Sequence, residues 1–186
     1  ELPVNLVKSP KKEIPKQEGK GKNSQDGLYD DQINEIMSKA PNYLGTIARD
    51  QVKELITHIK PQSKGEFIMN TDLSSQPGSH WVAVYFDARP NGKKEINYYD
   101  PFGEDPPKSL MKDFIKLSDK LNSDSYLKLK INRIKDQRNN SDTCGWHCMD
   151  WIKKMEEGKP FSEASGFDSL KQEKRMRLMK KKFKFI

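Results

Sequence analysis

The segment from His80 to Asp100 constrains the fold more than any other part of the chain. Residues 81–86 are mostly β-branched or aromatic, which favours a strand, and a second strand-like run extends from Glu95 to Asp100. Between the two runs, Pro90-Asn91-Gly92 is a strong turn signal. The segment therefore predicts a β-hairpin that brings its two outer ends side by side.

Helical periodicity surrounds this predicted hairpin. Apolar residues recur every three to four positions in the segments 29–39, 49–60, 107–121 and 143–155, and a last helix is expected over 167–181. Further short strands are expected at 66–70 and 126–134. The order of these elements predicts an α+β fold with a small mixed or antiparallel β-sheet packed between helices.

The first 26 residues differ in composition from the rest of the chain. They contain six lysines, three prolines and no aromatic residue. Such a segment buries too little apolar surface to offset the entropy lost on ordering. We therefore expect a basic flexible tail over residues 1–26 and a single domain over residues 27–186.

Composition also narrows the class of protein. No apolar run approaches the roughly 20 residues that span a bilayer, so we expect no membrane association. We also expect a monomer. Two cysteines four positions apart cannot form a disulfide framework, which is typical of a reducing compartment. The net charge of +7 favours a polyanion such as double-stranded DNA as a partner, although a lysine-rich soluble surface explains it equally well.

The most informative local motif surrounds Cys144. A polar loop that contains Gln137 leads into Cys144-Gly145, which begin an apolar helix. Unsatisfied N–H groups and the positive end of the helix dipole favour a thiolate there, and they can also bind an oxyanion. Gly145 would let a substrate backbone approach, and the Gln137 amide could supply a second oxyanion donor.

A thiolate nucleophile needs a base, and the chain has three histidines. His80 begins the predicted hairpin, where Asp100 at the neighbouring strand end could hold its imidazole. His147 shares a helical face with Cys144 and is the rival base, with an awkward geometry for proton transfer. His58 lies in a charged helix and is expected to be a surface residue.

Other interpretations of these residues remain open. A lone helical cysteine is often a small buried hydrophobic residue, and Cys148 is interpreted in this way. Cys144, His147 and Cys148 could in principle bind zinc, but no fourth ligand is evident, so we expect no metal or other required cofactor. A disulfide between the two cysteines would strain a helix.

Taken together, these motifs resemble those of the adenovirus-type maturation proteases (adenain). The matching features are His80-Trp81, then Asp100-Pro101-Phe102-Gly103, then Gln137 followed by six residues and Cys144-Gly145, with Asn42-Tyr43-Leu44-Gly45-Thr46 nearer the N-terminus. Relatives in virophages and Maverick/Polinton elements, and the wider clan of SUMO and ubiquitin-like-protein proteases, share the order His, acid, Gln, Cys. The resemblance covers residues 27–160 and implies a papain-like cysteine protease architecture.

This resemblance implies a role for each matching residue. Cys144 would be the nucleophile, His80 the base, Asp100 the acid and Gln137 an oxyanion donor together with Cys144. Trp81 would narrow a substrate cleft that also includes Gly145, which implies cleavage after Gly-x-Gly or Gly-Gly.

The family's biology sets further expectations. Its substrates are viral capsid and core precursors, DNA stimulates its adenovirus members, and the protein would act in the virion and in the host nucleus or a cytoplasmic virus factory. The chain has no further cysteine for a disulfide-linked peptide activator, so the tail is a candidate to add a strand in its place. Two alternatives remain: a protease that removes a SUMO-like or ubiquitin-like modifier, and a non-catalytic basic nucleic-acid-binding module on a protease fold.

Overall fold

A computed structural model describes residues 27–121, 127–139 and 141–165. The helices are α1 (Asp30–Met37), α2 (Val52–His58), α3 (Lys108–Leu121), α4 (Cys144–Glu156) and α5 (Phe161–Ala164), with a 3₁₀ turn at Arg49–Gln51 before α2. The strands are β1 (Tyr43–Ala48), β2 (Lys64–Asn70), β3 (Trp81–Asp87), β4 (Glu95–Tyr99) and β5 (Lys128–Ile131).

The five strands form one mixed sheet in the order β1-β2-β3-β4-β5. The central strands β2, β3 and β4 pair antiparallel, while β1 and β5 at the two edges pair in parallel with their neighbours. In the β3–β4 hairpin, Ala83 pairs with Tyr99 and Asp87 pairs with Glu95. This register places the N-terminal end of β3 beside the C-terminal end of β4.

Helices cover both faces of the sheet. On one face, α1, α4 and α5 pack over a core that includes Ile68, Trp81 and Tyr99. On the other face, α2 and α3 pack over Phe67, Val82 and other alternate strand residues. Every residue of β3 and β4 is buried, as expected of strands that are covered on both sides.

The predicted α+β fold, with a mixed sheet between helices, is confirmed. The predicted hairpin forms with its turn closed by the Gly92 N–H on the Arg89 carbonyl, at 2.9 Å. The strand β1 was not predicted, and β5 is shorter than the strand expected over 126–134. The expected tail (1–26) and last helix (167–181) lie outside the described residues, so these predictions and the domain boundary at residue 27 remain predictions.

None of the described helices is long and apolar enough to cross a membrane.

Candidate active site

The hairpin brings His80 and Asp100 into direct contact. His80 immediately precedes β3 and Asp100 immediately follows β4, and His80 Nε2 lies 2.8 Å from Asp100 Oδ1. The same carboxylate oxygen accepts the backbone N–H of Phe102 at 2.7 Å. Both side chains are nearly buried, so water competes little for this contact.

Cys144 lies at the first position of α4, and its side chain interacts with the His80 ring. Because Nε2 is bound to Asp100, Nδ1 is the ring nitrogen available to the thiol, and no other described group competes for it. Burial lowers the pKa of His80, but the Asp100 hydrogen bond and the Cys144 side chain outweigh it and raise the pKa to about 9. This imidazole is therefore cationic at neutral pH.

The arrangement suits a thiolate–imidazolium pair. The N–H groups of Cys144, Gly145 and Trp146 precede the first α-helical bond of α4, which the His147 N–H makes to the Thr143 carbonyl at 3.0 Å. The positive end of the helix dipole and these N–H groups stabilise negative charge in the first turn. Negative charge on sulfur or on a substrate oxygen can thus be balanced at this point.

Gln137 lies in the loop that approaches α4. Its Nε2 donates to the Ser141 carbonyl at 2.5 Å, three residues before Cys144, and its Oε1 has no partner among the described residues. The amide carries two hydrogens, so one N–H is still available after this bond forms. Its backbone N–H donates to the Pro101 carbonyl at 2.9 Å, which ties the loop to the end of β4.

Phe102 and Lys135 also belong to this site, although the sequence did not single them out for it. The Phe102 ring stacks on the His80 imidazole with ring centroids 4.7 Å apart. The Lys135 ammonium lies over the Phe102 ring, 5.0 Å from its centroid. A signal was available, because Phe102 is the third residue of Asp100-Pro101-Phe102-Gly103 and must turn back beside Asp100.

The two residues predicted to line the substrate cleft, Trp81 and Gly145, are both buried. Trp81 is fully buried, and its indole N–H donates to the Leu28 carbonyl at 2.9 Å, because β3 is covered by helices on both faces. Gly145 is also buried, and a Cβ there would lie 3.2 Å from Ile33 Cδ1 and 3.3 Å from Leu28 Cδ1. The space beside the Gly145 Cα is therefore filled by core side chains, and its predicted role in the substrate cleft remains a prediction.

The alternative roles of the cysteines can be compared with the same geometry. Both cysteines are free and buried, and Cys148 Sγ donates to the Trp81 carbonyl at 3.3 Å, as a core residue would. Within the described ranges, no group of three or more His, Cys, Asp or Glu side chains is placed to hold a metal ion. His147 is buried in α4, while the Cys144 side chain interacts with His80.

Known proteins similar to this chain include two viral proteases. The chain is 29% identical over 136 residues to R355 of Acanthamoeba polyphaga mimivirus, a protein named as a candidate thiol protease. It is 28% identical over 88 residues to the cysteine protease S273R of African swine fever virus. These alignments cover 72% and 46% of the chain but only 37% and 32% of the relatives, so the chain spans about a third of their length.

The fold is also similar to a solved structure. Two crystal structures of the African swine fever virus pS273R protease align with TM-scores of 0.56 and 0.58 at 16% identity. The alignments cover 74% and 83% of this chain, and 59% and 68% of the viral protease. At this level of identity, the likeness concerns the fold.

The fold, the site and these relatives define the class of the molecule as a cysteine protease domain. Residues 53–186 match the Ulp1 protease family, C-terminal catalytic domain. The chain belongs to this family.

Proposed function

We propose that the chain hydrolyses peptide bonds by acyl transfer to Cys144. The single observation that carries this proposal is the His80 imidazole, bound to Asp100 through Nε2 and facing Cys144 at the start of α4. In this mechanism the Cys144 thiolate attacks the scissile carbonyl, and the His80 imidazolium protonates the leaving amine. Water then hydrolyses the thioester, with neutral His80 as the base.

The oxyanion of the tetrahedral intermediate would be bound at the start of α4. The Cys144 backbone N–H is unpaired by the helix, and the Gln137 side-chain amide retains an N–H beyond its bond to Ser141. Removal of one such donor typically costs on the order of 10²–10³ in kcat. No metal is required by this mechanism.

We propose that the natural substrates are viral capsid or core precursors, cut after Gly-x-Gly or Gly-Gly. Support comes from the two viral relatives and from the resemblance to adenovirus-type proteases in the residues from His80 to Cys144. The protein would then act as a monomer in the virion, or in the host nucleus or cytoplasmic virus factory. The +7 charge motivates stimulation by double-stranded DNA.

A second candidate function is removal of a SUMO-like or ubiquitin-like modifier, which the match to the Ulp1 protease family favours. The two functions share the chemistry and the glycine preference, and they differ in what must be recognised beyond the cleaved segment. A modifier protease needs the folded modifier, whereas a maturation protease cuts short exposed segments of precursor proteins.

The decisive experiment measures hydrolysis of fluorogenic Leu-x-Gly-Gly and Leu-x-Gly-x-Gly peptides by the full chain, with and without duplex DNA. We expect turnover that Cys144→Ala abolishes and that the matched control Cys148→Ala retains. Faster cleavage of a modifier fusion than of the peptides would favour the second function. No turnover and no labelling of Cys144 by a thiol-reactive probe would contradict both and favour the non-catalytic module.

A further inference from the structure

A buried hydrogen bond joins the strand that ends at Asp100 to the loop that carries Gln137. The Tyr99 hydroxyl donates to Asp136 Oδ2 at 2.8 Å, and Asp136 is only 4% exposed. Tyr99 is itself held by a stack on Trp151 of α4, with centroids 5.2 Å apart and ring planes within 7°. In the sequence, Tyr99 directly precedes Asp100 and Asp136 directly precedes Gln137.

Backbone contacts continue this connection on both sides. The N–H groups of Asp136 and Gln137 both donate to the Pro101 carbonyl at 2.9 Å. Asn132 binds the backbone of Asp100 twice, accepting its N–H at 2.8 Å and donating to its carbonyl at 2.6 Å. The loop 132–137 is thus fixed to residues 99–101 at several points, and Asp136 supplies the buried side-chain contact to Tyr99.

Three ionisable groups among the described residues act on the Asp136 carboxyl. Tyr99 of β4 donates a hydrogen bond to it, and Asp150 and Lys154 of α4 act on it electrostatically. Asp150 and Lys154 form an ion pair at 3.0 Å with both side chains nearly buried. Lys154 stabilises negative charge on Asp136 and Asp150 opposes it. The charge state of Asp136 therefore depends on this buried ion pair.

We propose that Asp136 is a positioning residue for the reaction, which holds Gln137 and Asp100 in register through its contact with Tyr99. This inference rests on the function proposed above. The buried carboxyl of Asp136 accepts from Tyr99 while the adjacent Gln137 donates to the Ser141 carbonyl, so loss of the Tyr99 contact is expected to loosen the peptide that carries Gln137. A displacement of about 1 Å in a catalytic group can cost on the order of 10²-fold in rate.

The charge state of Asp136 should also affect the reaction near neutral pH. Burial raises the pKa of Asp136 to about 7, while the Tyr99 hydrogen bond and Lys154 act in the opposite direction. An ionised carboxylate accepts a stronger hydrogen bond from the Tyr99 hydroxyl than a neutral acid does. Activity should therefore rise as the pH passes through about 7 and Asp136 loses its proton.

The test compares Asp136→Ala, Asp136→Asn and Tyr99→Phe in the full chain. Asp136→Ala and Tyr99→Phe should lower kcat by about tenfold or more with little change in KM, since neither residue is expected to touch substrate. Asp136→Asn can still accept the tyrosine hydrogen bond but resembles the neutral acid, so its kcat should lie near the low-pH value of the wild type and show no inflection near pH 7. The exposed Asp119 of α3, mutated to Asn, is the matched control and should change neither quantity.

A second measurement does not depend on turnover. Hydrogen exchange of the Asp136 and Gln137 amides should become at least about tenfold faster in Asp136→Ala, while amides in the β3–β4 hairpin keep their protection. This result in a chain that cleaves no peptide would leave the positioning role standing and reject the proposed function alone. Unchanged exchange and unchanged kcat in both Asp136→Ala and Tyr99→Phe would overturn the inference, and Asp136→Asn decides it if Asp136→Ala fails to fold.

Discussion

Asp100 Oδ1 lies 2.8 Å from His80 Nε2 and also accepts the backbone N–H of Phe102. One carboxylate oxygen therefore orients the imidazole and holds the turn that follows β4. Because Nε2 is committed to this bond, the ring must present Nδ1 to Cys144. The chemistry and the local backbone structure consequently depend on the same atom.

Removal of this carboxylate should impair the reaction strongly. Asp100→Ala leaves the His80 ring without its partner, and we expect kcat to fall by about 10²-fold or more. Asp100→Asn keeps an oxygen that can accept from both His80 and Phe102, so its loss should be nearer tenfold. Steady-state kinetics of both variants beside the wild type provide the measurement, and equal losses in the two variants would contradict the orienting role.

The rate should have an alkaline limit set by His80. The pKa of His80 is raised to about 9, so the imidazolium persists through neutral pH and is lost as the pH rises through about 9. We expect kcat/KM to fall above that pH, because the leaving amine then has no acid to protonate it. A pH profile from 6 to 10.5, with denaturation monitored in parallel, tests this prediction. An alkaline limb centred near pH 7 in a folded enzyme would contradict it.

The stack of Phe102 on His80 should contribute to orientation of the imidazole. Phe102→Ala removes a ring that lies 4.7 Å from the imidazole centroid and leaves the Asp100 bond as the remaining constraint on the ring. We expect kcat to fall about tenfold, and Phe102→Tyr, which preserves the stack, to restore it. Steady-state kinetics together with the far-ultraviolet circular dichroism spectrum of each variant separate this effect from unfolding. A Phe102→Ala variant with the kcat of the wild type would show that the Asp100 hydrogen bond alone orients the imidazole.

Strand patterning predicted the pairing of His80 with Asp100, but it could not predict which contacts the intervening loops make. A hairpin over 80–100 brings these residues together by register alone, since the ends of paired antiparallel strands are adjacent. The contacts of Lys135 and Asp136 depend on docking of loop 132–137 against residues 99–103. Such contacts are between residues distant in sequence and carry no periodic signal.

Trp81 and Gly145 are both buried, and the cleft roles predicted for them remain predictions. The run from Trp81 to Phe86 lacks the polar alternation of a half-exposed strand, and this signal correctly indicates burial on both faces. The strand β1 was not predicted because Gly45, whose φ is +136°, interrupts it at an irregularity in its pairing with β2.

Glu66 should make stability depend on pH away from the site. Burial and the neighbouring Glu156 carboxylate raise the pKa of Glu66 to about 9, despite the opposing Lys64. The unfolded chain releases this proton near pH 4.5 and the folded chain releases it only near 9, so stability falls as the pH rises between these values. Glu66→Gln removes this cost and should be more stable than the wild type at pH 8, with a smaller difference at pH 5.

Urea midpoints at the two pH values measure this difference. The control is Glu163→Gln, which alters an exposed carboxylate that pairs with Lys159 at 3.2 Å, and it should show little dependence on pH. A Glu66→Gln variant whose advantage is the same at both pH values would argue against a protonated Glu66.

Gly145→Ala should be destabilising even though alanine is the better helix former. The substitution gains about 1 kcal/mol of helix propensity. It also places a methyl group 3.2 Å from Ile33 Cδ1 and 3.3 Å from Leu28 Cδ1, and both of those residues are buried. Overpacking of this kind typically costs about 1–3 kcal/mol, so we expect a net loss of roughly 1 kcal/mol.

A double-mutant cycle can attribute this loss to the packing contact. Ile33→Val deletes the Cδ1 atom that the new methyl group would meet. In the Ile33→Val background, Gly145→Ala should therefore cost less than it does in the wild type, with a coupling energy of about 0.5 kcal/mol or more. Free energies of unfolding of the four proteins give the coupling. A coupling energy near zero would show that the Ile33 contact does not cause the loss. It would favour a requirement for glycine on the substrate side of Cys144.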